Sequence, residues 1–193
     1  MSLADVDWSL IPSPADDGHA DHLEGVSLPD VTLPATDKTK VTLSNLTGLA
    51  VIYVYPMTGR PDRAQPDGWD QIPGARGCTP QSCAFRDHFA DLKQLGVEHL
   101  FGLSTQSQDY QREAAKRLHL PFPLLSDADR TLGKALELPG MDVAGEYLHK
   151  RLTMIAKDGV IAKVFYPVFP PDQDAAKVID WLRSDAEARA SLR

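Results

Sequence analysis

The chain has 193 residues, a net charge of −7 and a hydrophobic fraction of 42%. These values are typical of an ordinary globular domain, and the negative charge disfavours a nucleic-acid or anionic-membrane partner. The longest apolar run, residues 49–55, is far too short to cross a bilayer, and no basic region followed by an apolar core opens the chain. We therefore expect a cytoplasmic protein without a membrane partner.

The N-terminal part of the chain divides into an arm and the start of a domain. Residues 1–24 are polar and acidic, which predicts a flexible acidic arm ahead of a single domain over residues 25–193. His19 and His22 could ligate a metal, although a solvated tail accounts for them more simply. Alternating apolar residues over 28–34 and 41–43 predict an N-terminal β-hairpin.

A continuous apolar run follows, and then a long loop. Residues 49–55 are rich in β-branched and aromatic side chains, as in a strand buried on both faces. Residues 57–76 are rich in proline and glycine and are long for a connection, so we expect this inserted loop to cover a site or to contact a second subunit. Trp69 within it is either a lid contact or a core plug.

The remaining elements alternate between helix and strand. Phe85, Phe89 and Leu92 have helical spacing, and Gly96 is expected to end that helix. The patterns after it predict, in order, a strand over 97–104, a helix over 107–118, a strand over 122–127, a helix over 128–136, a loop over 140–145, a hairpin over 150–167 and a helix over 174–182. This alternation predicts an α/β protein with a mixed central sheet and helices on both faces. A cysteine that follows a central strand and begins a helix suits the thioredoxin-like type of this fold.

Both cysteines, Cys78 and Cys83, lie where the loop meets the helix. A cysteine pKa of about 8.5 falls at a helix N-terminus, and Thr79-Pro80 marks such a start, so Cys78 is the predicted nucleophile. Five positions on a helix correspond to roughly 140° of rotation and about 7.5 Å of rise. A disulfide needs Cα atoms within about 4.4–6.8 Å, so the pair can react only if the helix unwinds.

Two other interpretations of the cysteines were weighed. They could be ordinary small buried residues. A zinc site of Cys78, Cys83 and His88 matches no common ligand spacing and has no evident fourth ligand. We therefore expect neither a metal nor a cofactor.

The sequence resembles the peroxiredoxins, specifically the bacterioferritin-comigratory (Q-type) branch of the alkyl hydroperoxide reductase/thiol-specific antioxidant superfamily. The resemblance extends over about residues 28–182. The segments that carry it, in order, are the start of the hairpin at 28–33, Val-Ile-Tyr-Val-Tyr-Pro at 51–56, Gly-Cys-Thr at 77–79, Cys-Ala-Phe-Arg-Asp at 83–87, Phe-Pro-Leu-Leu-Ser-Asp at 122–127 and Lys-Arg-Leu-Thr at 150–153.

The resemblance implies a redox-active cysteine pair and a thiol-dependent peroxidase. Cys78 would be the peroxidatic cysteine, Cys83 the resolving one, and Arg151 the cation that supports the thiolate and polarises the peroxide. Hydrogen peroxide or an organic hydroperoxide would oxidise Cys78 to a sulfenic acid, which Cys83 converts to an intramolecular disulfide. A thioredoxin-like or other dithiol reductant would reset it. We expect a monomer or a homodimer.

The sequence departs from the family pattern near the nucleophile. The family's threonine three residues before the peroxidatic cysteine is Ala75 here, and its frequent glutamate three residues after it is Gln81. Thr58, just after Pro56, is the first candidate for the missing hydroxyl, with a simple turn residue as the equal alternative.

Two competing functions remain open at this point. A thioredoxin-like dithiol oxidoreductase or redox sensor acting on protein disulfides would use the same pair, but such enzymes have Cys-x-x-Cys, and the wider spacing here favours the peroxidase. A member of the fold without activity, which only binds a partner, is consistent with the loss of the threonine at Ala75.

Overall fold

The structure is a computed structural model that describes residues 6–191, apart from the side chain of Arg189. Its strands, in chain order, are β1 (Thr32–Pro34), β2 (Lys40–Thr42), β3 (Leu49–Val54), β4 (Val97–Ser104), β5 (Leu124–Ser126), β6 (Gly140–Val143), β7 (Glu146–His149), β8 (Leu152–Lys157) and β9 (Val160–Phe165). Five form one sheet in the order β5-β4-β3-β8-β9. Strands β3, β4 and β5 pair in parallel, whereas β8 pairs antiparallel with both β3 and β9. The predicted mixed central sheet is confirmed.

Helices cover both faces of this sheet. They are α1 (Cys78–Asp87), α2 (Phe89–Gln94), α3 (Gln108–Arg117), α4 (Thr131–Ala135) and α5 (Asp174–Ser191). Because successive side chains of a strand point to opposite faces, Ile52 of β3 joins one core with residues of α4, and Tyr53 joins the other with residues of α1, α2 and α5. None of the described helices is both long and apolar enough to span a membrane.

The N-terminal hairpin is present as predicted. Strands β1 and β2 pair antiparallel with Thr32 opposite Thr42, and the two hydroxyls lie 2.7 Å apart. Leu33 between them is only 3% exposed and packs into the core on the α4 side. Burying such a side chain contributes about 1.5–3 kcal/mol, and together with the bridge between Ala35 and Leu125 of β5 it holds this short hairpin on the sheet.

The structure corrects three of the predicted elements. The helix predicted to run to Gly96 is interrupted at His88, yet Phe85 and Leu92 still bury in the same core, so the apolar spacing alone does not show the break. Helix α5 continues past the apolar stripe to Ser191, because its last turns consist largely of good helix formers. The loop predicted over 140–145 belongs to a hairpin of β6 and β7, whose turn residues Ala144 and Gly145 both have positive φ.

The inserted loop is anchored by a core of its own. Trp69 is 3% exposed and packs with Ala75, Val143 and Leu148, so it is a core plug. Two of these partners belong to the β6–β7 hairpin, and Ala75 lies three residues before Cys78. The insertion is therefore packed between that hairpin and the cysteine loop.

Residues 6–24 of the predicted arm lie against the domain, whereas residues 1–5 are outside the described residues. Leu23 is fully buried, and the carboxylate of Asp17 accepts hydrogen bonds from Lys150 (2.6 Å) and Tyr166 (2.7 Å). The indole of Trp8 donates to Asp172 (2.9 Å). The position of this segment is thus defined, while its flexibility remains a prediction.

Acid should loosen the arm. The hydrogen bonds from Lys150 and Tyr166 hold the pKa of Asp17 well below its usual 3.8. The contribution of Asp17 to stability is therefore present above the unfolded-state value and is lost progressively as the pH falls from there toward the lowered folded-state value. We expect Asp17→Asn to lower the free energy of unfolding at pH 7 by about 0.2–1 kcal/mol, and less at high salt. Urea unfolding of both proteins from pH 7 to pH 3 checks this, since the difference between them must shrink toward pH 3. A difference that grows toward pH 3 would contradict it.

Candidate active site

Cys78 is the first residue of α1, directly after a glycine that nothing larger could replace. Gly77 has φ of 110°, a backbone conformation that glycine adopts readily. A Cβ at this position would lie 2.5 Å from Pro171 and 2.9 Å from the Trp8 ring. The tight approach of these side chains fixes how the loop enters the helix, and so it fixes where the thiol points.

The sulfur of Cys78 is buried among polar groups that suit an anion. Nη2 of Arg151 lies 3.2 Å from Sγ, and the backbone nitrogen of Met57 donates to Sγ from 3.4 Å. The Ala75 carbonyl oxygen is 3.6 Å from Sγ and can accept from the protonated thiol. Together with the N-terminus of α1, the cation and the N–H are placed to interact with an anionic sulfur.

Arg151, between β7 and β8, is almost completely buried. Its Nη2 also donates to the carbonyl oxygens of Gly74 (3.3 Å), Ala75 (3.0 Å) and Arg76 (3.1 Å). Three successive carbonyls of the cysteine loop therefore surround the cation, and the loop and the guanidinium hold each other in place. The structure thus brings together Cys78 and Arg151, which the sequence analysis assigned to one site.

A line of buried polar side chains continues beyond Arg151. Nη1 donates to the Gln81 side-chain oxygen, and Gln81 Nε2 donates to Asp174 Oδ2 at 2.7 Å. The same carboxylate oxygen accepts from the Thr153 hydroxyl at 2.7 Å. Burial raises the pKa of Asp174, against the hydrogen bonds from Thr153 and Gln81 and the charge of Arg151. The sequence analysis missed Asp174 and Thr153, because only the folded chain brings them to Gln81.

Thr58 does not present its hydroxyl to the cysteine. It is fully buried, and its N–H and hydroxyl both donate to Gln106 Oε1, at 3.0 and 3.1 Å. The adjacent residue, Met57, contributes its backbone N–H to the sulfur instead. The geometry gives no support to the predicted catalytic role of Thr58, and a backbone donor occupies the place sought for a hydroxyl.

Cys83 lies on α1, one and a half turns beyond Cys78, and is half-buried. Burial raises the pKa of its thiol, opposed by Arg86 and Arg117 and reinforced by Asp87. Both cysteines are free thiols and α1 is intact, so the structure is that of the reduced state. Within the described residues no cluster of His, Cys, Asp and Glu is suited to hold a metal ion.

A cavity of about 240 Å³ lies between the arm and the cysteine loop. Pro14 and Asp17 line it on the arm side, and Gly74 and Arg151 on the other. The docked arm thus forms one wall of a space that reaches the guanidinium of the site.

The chain is similar in sequence and in fold to known proteins. The Redoxin family matches residues 23–179. Peroxiredoxin Q of Sedum lineare is 31% identical over 162 residues, covering 83% of this chain and 78% of the relative, and that of Oryza sativa subsp. japonica is 30% identical with coverages of 83% and 67%. Among solved structures, peroxidoxin BcpB from Mycobacterium tuberculosis is similar with a TM-score of 0.67 and 25% identity, covering 83% of this chain and 96% of that one. The bacterioferritin comigratory protein of Xanthomonas campestris, with a TM-score of 0.65, 22% identity and coverages of 83% and 98%, shares the fold. The chain therefore belongs to the redoxin family, in its peroxiredoxin Q branch.

Proposed function

We propose that this chain reduces hydrogen peroxide and organic hydroperoxides through Cys78, with Cys83 as the resolving thiol. The observation that carries the proposal is the contact of the buried Cys78 sulfur with Arg151, at 3.2 Å, at the N-terminus of α1. The thiolate attacks the terminal peroxide oxygen, an S–O bond forms and the O–O bond breaks. The leaving hydroxide or alkoxide takes up a proton, and the Arg151 guanidinium stabilises the charge that develops on it.

Resolution requires α1 to open. Phe85 stacks on Tyr53 with ring centroids 4.4 Å apart, and Ser82 accepts a hydrogen bond from the same tyrosine at 3.0 Å, so the helix is held on the sheet between and beyond the cysteines. The Cys83 thiol then attacks the sulfenic sulfur, which forms the disulfide and releases water. A dithiol reductant, for which we propose a thioredoxin-like protein, returns both thiols by exchange and leaves as a disulfide.

Intact mass after one equivalent of hydrogen peroxide tests the mechanism. Wild type should lose two hydrogens as a monomeric disulfide, and Cys83→Ser should gain one oxygen at Cys78, because the sulfenic acid then has no thiol partner. Cys78→Ser, which keeps the half-buried Cys83, is the control and should stay unchanged. Prompt oxidation of Cys78→Ser, or none in wild type, would contradict the assignment.

Reduction of insulin disulfides by the reduced protein would instead favour the dithiol oxidoreductase.

We further propose a monomer or homodimer and a cytoplasmic location. The plant relatives named above are chloroplastic. The cytoplasmic location is therefore proposed for this chain alone and is not taken from them.

A further inference from the structure

Asp174 is a buried carboxyl group that the mechanism above does not use. It is the first residue of α5 and is fully buried. Its Oδ2 accepts two hydrogen bonds, while its Oδ1 has no partner among the described residues. Burying a carboxyl group costs free energy unless hydrogen bonds or a nearby cation compensate for the lost hydration. The charged groups that act on it are Arg151, from the strand side, and Lys177 on its own helix.

The partners of Gln81 fix which end of its amide faces which neighbour. A guanidinium only donates hydrogen bonds, so the atom facing Arg151 Nη1 must be the Gln81 oxygen. The Gln81 NH₂ group therefore faces Asp174, where Oδ2 accepts from it at 2.7 Å. With an acceptor at position 174 this orientation is the only one that satisfies both neighbours. Gln81 thus presents its acceptor to Arg151 and its donor to Asp174 at the same time.

The same contacts link Asp174 to the sulfur. Arg151 meets Gln81 through Nη1 and Cys78 Sγ through Nη2, so one planar group carries both interactions. Turning the guanidinium to find another acceptor would withdraw Nη2 from the thiolate. Within the described residues, Asp174 is the buried acid linked to this cation through side-chain hydrogen bonds.

We propose that Asp174 is a positioning residue for the peroxidase reaction, which through Gln81 holds the Arg151 guanidinium on the Cys78 sulfur and balances its buried charge. This inference rests on the proposed function. Because Gln81 lies on α1 between the two cysteines, unwinding of α1 for the disulfide also separates Gln81 from Asp174. The network is complete only when α1 is folded, so it favours the return of the reduced helix after the disulfide is broken.

The test exchanges the charge between the two positions, in a Cys83→Ser background where Cys78 is the only cysteine. Asp174→Asn should slow oxidation of Cys78 by hydrogen peroxide about tenfold to 100-fold, as removal of an orienting partner behind a reactive group does elsewhere. It should also shift the pH profile of Cys78 alkylation by iodoacetamide, because the guanidinium no longer keeps its position on the sulfur. The double variant Gln81→Glu/Asp174→Asn returns a carboxylate to Arg151 and a donor to that carboxylate. It should recover to within about threefold of the parent rate.

Asp180→Asn is the matched control, since it makes the same change at an exposed position of the same helix and should leave both readouts unchanged. If Asp174→Asn does not fold, Gln81→Leu cuts the same link and should show the same slowing. A folded Asp174→Asn with the parent rate and pH profile overturns the proposal, and so does slowing that the double variant fails to rescue. Alkylation needs no peroxide, so failure of the parent to react with peroxide counts against the peroxidase function and leaves the effect of Asp174 on Cys78 measurable.

Discussion

Replacing Arg151 with methionine is expected to slow the oxidation of Cys78 by hydrogen peroxide about 100-fold to 1,000-fold, the loss usual for a donor that stabilises developing charge. The variant removes the cation 3.2 Å from Sγ and leaves the carbonyls of the cysteine loop without their donor. The oxidation rate of Arg151→Lys should lie between those of wild type and Arg151→Met, because lysine keeps the charge but cannot bridge Gln81 and Cys78 with one planar group. Stopped-flow kinetics with excess peroxide measures the rate, and circular dichroism establishes that each variant is folded.

Arg76 provides the control for this experiment. It lies two residues before Cys78, but its guanidinium pairs with Asp70. Arg76→Met should therefore stay within about threefold of wild type, since an exposed pair contributes little. Equal losses in the two variants would mean that general positive charge, and not the contact of Arg151 with the sulfur, supports the thiolate.

Trp69→Ala is expected to lower the free energy of unfolding by about 3–5 kcal/mol, because it empties the centre of the cluster that holds the insertion. Trp69 is 3% exposed and packs on Ala75, whose carbonyl accepts from Arg151. The peroxide rate should fall as well, since the cavity loosens the loop that carries Cys78. Urea unfolding and the same kinetic assay give both values.

Trp181→Ala is the comparison for that stability change. Trp181 is only half-buried on α5, with Lys157 4.8 Å from the centre of its ring. Trp181→Ala should lower the free energy of unfolding by less than half as much as Trp69→Ala does, and it should leave the rate of oxidation by peroxide unchanged. A loss of under about 1 kcal/mol for Trp69→Ala would show that the insertion is held in some other way.

The sequence was informative wherever local pattern and burial agree. The run over residues 49–55 predicts β3 because a strand buried on both faces needs a continuous apolar stretch. Cys78 was recognisable from the helix start that follows it, whereas Arg151 became a candidate only through the family resemblance. The β6–β7 hairpin was missed because its turn, Ala144-Gly145, lacks the usual asparagine or aspartate.

Contacts between distant parts of the chain could not be read in this way. Asp174 lies 93 positions from Gln81, and nothing in its own neighbourhood distinguishes it from the other acids of the last helix. The engagement of Thr58 with Gln106 depends on how the insertion folds back. In both cases the hydrogen-bond partners are determined by the tertiary fold, and the periodicity of apolar residues along the chain does not identify them.

The position of Trp8 gives the chain an optical signal for its own chemistry. Its ring meets Phe169 edge-on at 5.9 Å and closes over Gly77, the residue before Cys78. Indole emission responds to the polarity and the quenching groups around the ring, so movement of residue 77 as α1 opens changes the surroundings of this fluorophore. Steady-state fluorescence is therefore expected to follow the opening and closing of the site during turnover without an added label. Trp69, which packs on Ala75, reports on the same loop, and Trp181 on α5 provides the background.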